Sequence, residues 1–169
     1  MKKSNAFLTC VALQLAAATT VVAQEANAPV ASLPREGTTS YTAYFTSHLV
    51  AKQTLGTNDN TSIREVLGIT RNSEGKPYFD SLAVRCLLYV QNLAGKVAGQ
   101  GNCVETDADG DKIFSTFDYT SKVHVLTGGT GKYEGITGNA PFTFKPLQAP
   151  GIDEGAAIVD HKVSWHFNK

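Results

Sequence analysis

The chain is short of the residues that most often announce a function. It has one tryptophan, one methionine, three cysteines and four histidines in 169 residues. Its charges balance, 15 Lys and Arg against 15 Asp and Glu, and they are scattered. With no basic cluster beyond isolated Lys or Arg, nothing points to nucleic acid. No apolar run reaches the ~20 residues a membrane helix needs. The best, Ala6 to Ala18, is short and broken by Thr and Gln, and no later run approaches it. Catalytic signatures are missing too: there is no Gly-x-Ser-x-Gly, no His-Glu-x-x-His and no Cys-His pairing in sequence. Two of the cysteines, Cys86 and Cys103, have no nearby His pair to complete a tetrahedral shell, so no metal or other cofactor is expected.

What is present begins with targeting. Met1-Lys2-Lys3 supplies positive charge, Ala6 to Ala18 an apolar core, and Val21-Val22-Ala23 small or β-branched residues before a cut ahead of Gln24. Residues 1–23 therefore read as a cleaved signal peptide, which carries Cys10 away with it. The Lys-Lys start and Ala-rich core look bacterial, so the expected location is exported, either periplasmic or secreted. Cleavage leaves 169 − 23 = 146 residues with 13 basic and 15 acidic side chains, a net of −2 and enough for one domain with no membrane segment. Residues 24–39, with Pro29 and Pro34 and little periodicity, read as a flexible leader, and 40–169 as the folded domain.

An oxidising compartment favours a bridge between the two remaining cysteines. A hairpin folded about Ala94-Gly95 sets Cys86 opposite Cys103, because their numbers are symmetric about that turn. Buried free thiols are the alternative. From Tyr41 onward, strand-like runs alternate with turn residues at roughly ten-residue spacing, which signals a sandwich or barrel. Eight runs can be counted: 41–51, 62–71, 81–91, 97–106, 112–119, 121–127, 139–145 and 157–167. A helical turn near Ile63 to Leu67 is the one exception the periodicity allows.

Between the sixth and seventh runs lies Gly128-Gly129-Thr130-Gly131-Lys132-Tyr133-Glu134-Gly135-Ile136-Thr137-Gly138, five glycines in eleven residues. Glycine serves where φ must be positive or another backbone must come close. Tyr133 and Ile136 are spaced to plug inward from the turn. A phosphate cradle fails on spacing: Lys132 precedes Tyr133 rather than Ser or Thr, and Glu134 stands where a dinucleotide fingerprint needs glycine. Lys132 accordingly reads as solvent-facing. The Gly-Gly-Thr-Gly, aromatic and later Gly pattern is similar to the motif of dirigent proteins and allene oxide cyclases. It also resembles the Gly-rich segment of exported bacterial proteins built on the same small barrel. The resemblance implies an all-β fold, an eight-stranded antiparallel barrel with a central cavity. It brings no catalytic residue with it.

Alternate residues of a strand share a face. Leu82, Val84, Cys86, Leu88 and Val90 should point inward, as should Val159, His161, Val163, Trp165 and Phe167, and Tyr41, Ala43, Phe45, Ser47 and Leu49. The polar intruders are the candidates for chemistry. His161 could act as a base or as a donor to a ligand oxygen, or be a core histidine bonded to backbone. Glu105, placed opposite Val84 by the cysteine register, could be an acid or base in an apolar cavity, or reach solvent at the barrel mouth. Glu65 shares a face with Ile63, Leu67 and Ile69 and raises the same question. His48, His124 and His166 fall on mixed or polar faces and read as surface residues. Asp107-Ala108-Asp109-Gly110-Asp111 has its glycine in the wrong place for a calcium loop and reads as a turn.

Three functions follow. The first is a barrel binding a small, mostly apolar or aromatic molecule against Trp165, His161 and Phe45. The second is a cyclase or isomerase using Glu105, His161 or Glu65. The third is a solid barrel acting through its loops on protein partners. A cavity of ~300 Å³ or more separates the first two from the third.

Overall fold

Turn chemistry sets where the strands begin and end. A computed structural model of the protein describes residues 33–168. The signal peptide 1–23 and the first part of the leader lie outside the described residues. The strands are β1 (Glu36–Thr54), β2 (Asn60–Asn72), β3 (Ala83–Leu93), β4 (Lys96–Thr106), β5 (Lys112–Asp118), β6 (Val123–Gly129), β7 (Ile136–Leu147) and β8 (Glu154–Phe167). They correspond one for one to the eight expected runs. β1 starts earlier than 41, so the last leader residues, 36–39, belong to it. Ile63 to Leu67 is strand, not a helical turn.

Each strand pairs antiparallel with the next, and β1 pairs with β8 to close the barrel. Closure leaves no free sheet edge. Between β3 and β4, Ala94 and Gly95 take φ of 50° and 74°, the signature of a tight two-residue hairpin turn. That turn sets Cys86 directly opposite Cys103, and the two form a disulfide. Between β4 and β5, Asp107 Oδ1 accepts the backbone N–H groups of Asp109 and Asp111 at 2.9 and 3.1 Å, which makes the acidic run a turn.

The interior divides into two clusters along the barrel. One is solid: Tyr41, Phe79, Leu82, Ile113, Leu126, Tyr133, Ile136, Val163 and Trp165 fill it. The β2–β3 loop folds Phe79 and Leu82 into this end as a plug, where Phe79 stacks on Tyr41 at 5.5 Å and meets Trp165 at 5.4 Å. Thr70 holds the plug, its hydroxyl accepting the Leu82 N–H at 3.0 Å. Tyr133 and Ile136 plug inward from the Gly-rich segment as expected. The second cluster, with Val66, Val84, the Cys86–Cys103 bridge, Leu88, Phe117, Phe142, Ala157 and Val159, surrounds open space.

Two faces depart from the sequence reading. In β2, Ile63, Leu67 and Ile69 are exposed, and Val66 and Thr70 are buried instead. Glu65 therefore points outward, where it bridges Arg85 and His48. In β6 the inward residues are His124 and Leu126. His124 is buried, not a surface residue.

Candidate functional site

The open half of the barrel holds a cavity of about 450 Å³. Its walls are apolar: Phe45, Val66, Leu88, Phe117, Phe142 and Val159 face it, with Cys86 of the disulfide among them. The pleat places these side chains, since each lies an even number of residues from a buried neighbour on its own strand. The glycine of β2, Gly68, pairs with Phe45 of β1, and a Cβ there would collide with the Phe45 ring.

At the mouth stand Arg64, Ser47, Tyr119 and Glu154. Arg64 donates to Ser47 Oγ at 3.3 Å and to the Asp153 carbonyl at 3.0 Å, tying the β7–β8 connection to the barrel rim. No carboxylate lies within ion-pair distance of its guanidinium among the described residues.

The base of the cavity is the ring of His124, stacked on Phe117 with centroids 4.9 Å apart. Behind it runs a line of buried polar groups. His124 Nδ1 lies 3.5 Å from Ser115 Oγ, and Ser115 Oγ donates to Glu105 Oε1 at 3.3 Å. Glu105 is only 3% exposed, and its Oε2 has no partner among the described residues. His161 packs edge-on to His124 at 5.0 Å and stacks on Tyr41 at 4.5 Å. Neither of its ring nitrogens has a hydrogen-bond partner of ordinary geometry among the described residues, although the Val159 backbone favours its protonation.

Burial sets the protonation of this group. It raises the Glu105 carboxyl to about 7, against the opposing pull of the Ser115 bond. It lowers His124 to about 4. His161 falls to about 3, through burial first and then His124, with the Val159 backbone resisting. Tyr41 is pushed well above its usual range by burial and by the Glu105 charge. At neutral pH both imidazoles are uncharged, and the carboxyl is poised between its two forms.

The sequence candidates thus separate. Phe45 lines the cavity. Glu105 is buried on the inward face, not at the mouth. His161 lies behind His124 rather than on the cavity wall. Trp165 sits in the solid half, its indole N–H donating to the Pro34 carbonyl at 2.9 Å, so it is a core residue there. Glu65 is on the outer surface and takes no part. His124 reads as a surface residue in the sequence, and Ser115 and Arg64 carry no signal there. Lys132, read as solvent-facing, instead places its ammonium 2.7 Å from Asp107 Oδ2 and against Asp109.

No family model matches the chain, and no curated protein sequence matches it. Among solved structures it is similar to the pterocarpan synthase dirigent protein PsPTS1, with 12% identity, 81% of this chain and 99% of that one covered, and a TM-score of 0.50. A second similar structure is the pterocarpan synthase dirigent protein GePTS1, at 16% identity over 81% and 89% of the two chains, with a TM-score of 0.49. Identity this low speaks to architecture. The chain has the closed eight-stranded antiparallel barrel of the dirigent type.

Proposed function

We propose that the protein is an exported barrel that binds a small, mostly apolar molecule inside its open half. The observation that carries this reading is the 450 Å³ cavity with apolar walls and one uncharged imidazole at its base. Ligand pockets typically have volumes of ~300–1,000 Å³ and combine apolar walls with a few placed polar groups. A barrel acting only through its loops has no need of such a space. Export is supported by the Cys86–Cys103 bridge, since disulfides persist in oxidising compartments.

The neutral dye N-phenyl-1-naphthylamine tests the reading. It should bind one to one with a blue-shifted emission. Ala157→Phe places a ring in the cavity wall and should abolish that binding while the disulfide and the strand circular dichroism persist. Equal dye binding by wild type and Ala157→Phe would overturn the assignment of the site.

A cyclase or isomerase reading has one specific support, the buried carboxyl of Glu105 linked through Ser115 to an imidazole at the cavity. In it His124, not Glu105, would touch the substrate. Turnover lost with affinity retained in His124→Phe would favour it over simple binding.

A further inference from the structure

We infer that His124 Nε2 is the polar contact at the base of the cavity, and that the proton on Glu105, relayed through Ser115, sets whether it accepts or donates. This rests on the cavity being a ligand site. It adds that the ligand is an apolar molecule carrying one hydrogen-bonding atom at its leading end.

The line of hydrogen bonds admits two states. With Glu105 ionised, its Oε1 can only accept, so Ser115 O–H donates to it. Ser115 Oγ then offers lone pairs alone to His124, and Nδ1 must carry the ring proton to bond with it. The other nitrogen, Nε2, is left with a lone pair on the cavity side, which the ring lines. It is an acceptor. A proton taken up at Nε2 from the cavity displaces the Nδ1 proton to Ser115 Oγ, and the Ser115 proton passes to Glu105. The carboxyl now donates to Ser115, Ser115 donates to Nδ1, and Nε2–H faces the cavity. It is a donor. One proton has been gained, it rests on Glu105, and the imidazole is neutral in both states.

Neighbouring groups leave this switch intact. Glu105 titrates near 7 and His124 near 4, so the carboxyl holds the proton in preference to the ring. From β8, His161 is held neutral to about 3. From β1 and the turn before β7, Tyr41 and Tyr133 are both raised by burial and stay protonated. β2, β3 and β7 bring Val66, Val84, the disulfide-bound Cys86 and Phe142 to this cluster, none of which titrates.

Three matched tricyclic compounds provide the test: carbazole donates a hydrogen bond, fluorenone accepts one, and fluorene does neither. Affinities are measured by fluorescence on the disulfide-bonded protein at about pH 5.5 and about pH 8.5, either side of the Glu105 midpoint. Carbazole should bind roughly three- to tenfold tighter than fluorene at the higher pH, and fluorenone should hold that advantage at the lower pH, the worth of one net hydrogen bond. Fluorene itself should be indifferent to pH. Glu105→Gln should make the carbazole-to-fluorenone ratio independent of pH, and His124→Phe should equalise the three compounds. A ratio that does not change with pH in the wild type, while all three bind, overturns the switch and leaves the ligand site standing. Binding of none of the three overturns the ligand site itself.

Discussion

His124 alternates along β6 with Val123 and Val125, and the valines compete with it for the inward face. Burial is a one-way rule, because much of any folded surface is apolar. The barrel turns both valines outward and packs His124 between Phe117 and Phe142. The same competition holds on β2, where Ile63, Leu67 and Ile69 share the outer face with Glu65. Glu105 was legible because the disulfide register, not hydrophobicity, placed it opposite Val84. His161 was legible because its neighbours Val159, Val163 and Trp165 are all apolar and leave no competing face.

The buried histidines also make a prediction about pH. The unfolded chain protonates His161 near 6.5, whereas the folded chain resists until about 3. Stability is therefore lost as pH falls below 6.5, and His124 adds to the loss down to about 4. Glu105 acts in the opposite sense: its folded value of about 7 exceeds the ordinary 4.5, so its contribution is present below 4.5 and is lost as pH rises through 7. Maximum stability should lie near pH 6.5, with the steeper fall on the acid side. His161→Phe removes one proton-linked slope. By urea denaturation it should gain roughly 3 kcal/mol more, relative to wild type, at about pH 4.5 than at about pH 7.5. Packing changes are common to both pH values and cancel. An equal effect at the two would show that His161 is not held neutral.

At the scale of elements, the Gly-rich segment does its work by docking on the acidic turn. Gly131 takes a φ of 55°, and a Cβ added to it would collide with the Asp111 carboxylate. That carboxylate accepts the Lys132 N–H at 3.1 Å, while the Lys132 side chain reaches Asp107 and Asp109. Burial alone would lower the Lys132 ammonium, but these two carboxylates outweigh it and raise it. An ammonium thus occupies the middle of the acidic loop. The positive φ could be anticipated from the glycine pattern. The partner could not, because Lys132 and Asp107 meet only when β5, β6 and the turn are assembled. Gly131→Ala should cost about 2 kcal/mol or more by thermal or urea unfolding, through backbone strain and displacement of Asp111. Lys132→Ala should cost about 1–2 kcal/mol, because Asp107 keeps its burial and loses its cation. A neutral Lys132→Ala would restore the reading of Lys132 as a solvent-facing residue.

At the scale of the whole molecule, a packed core and an open cavity are segregated along the barrel. One half is closed by the Phe79 and Leu82 plug and packed throughout. The other is held open by ring-lined walls and braced by the Cys86–Cys103 bridge, which on loop length alone contributes on the order of 3 kcal/mol. Eight strands could be counted from turn spacing, because each turn is a local event, whereas their closure into a barrel was implied by the resemblance of the Gly-rich segment. Which end would be plugged could not be read, since the plug is a loop whose Phe79, at a φ of 52°, packs on Tyr41 and Trp165, partners far away in sequence. A pair of truncations tests the division. Phe79→Ala empties a packed site and should cost about 3–4 kcal/mol while leaving N-phenyl-1-naphthylamine affinity unchanged. Phe117→Ala removes a ring that already faces open space, so it should cost less stability and yet alter dye affinity, because the cavity widens beside His124. Urea unfolding and dye titration on the two variants give four numbers, and the segregation requires them to cross. If Phe79→Ala disturbed binding as much as Phe117→Ala did, the two halves would be one cooperative unit, and the solid end would have to be counted as part of the site.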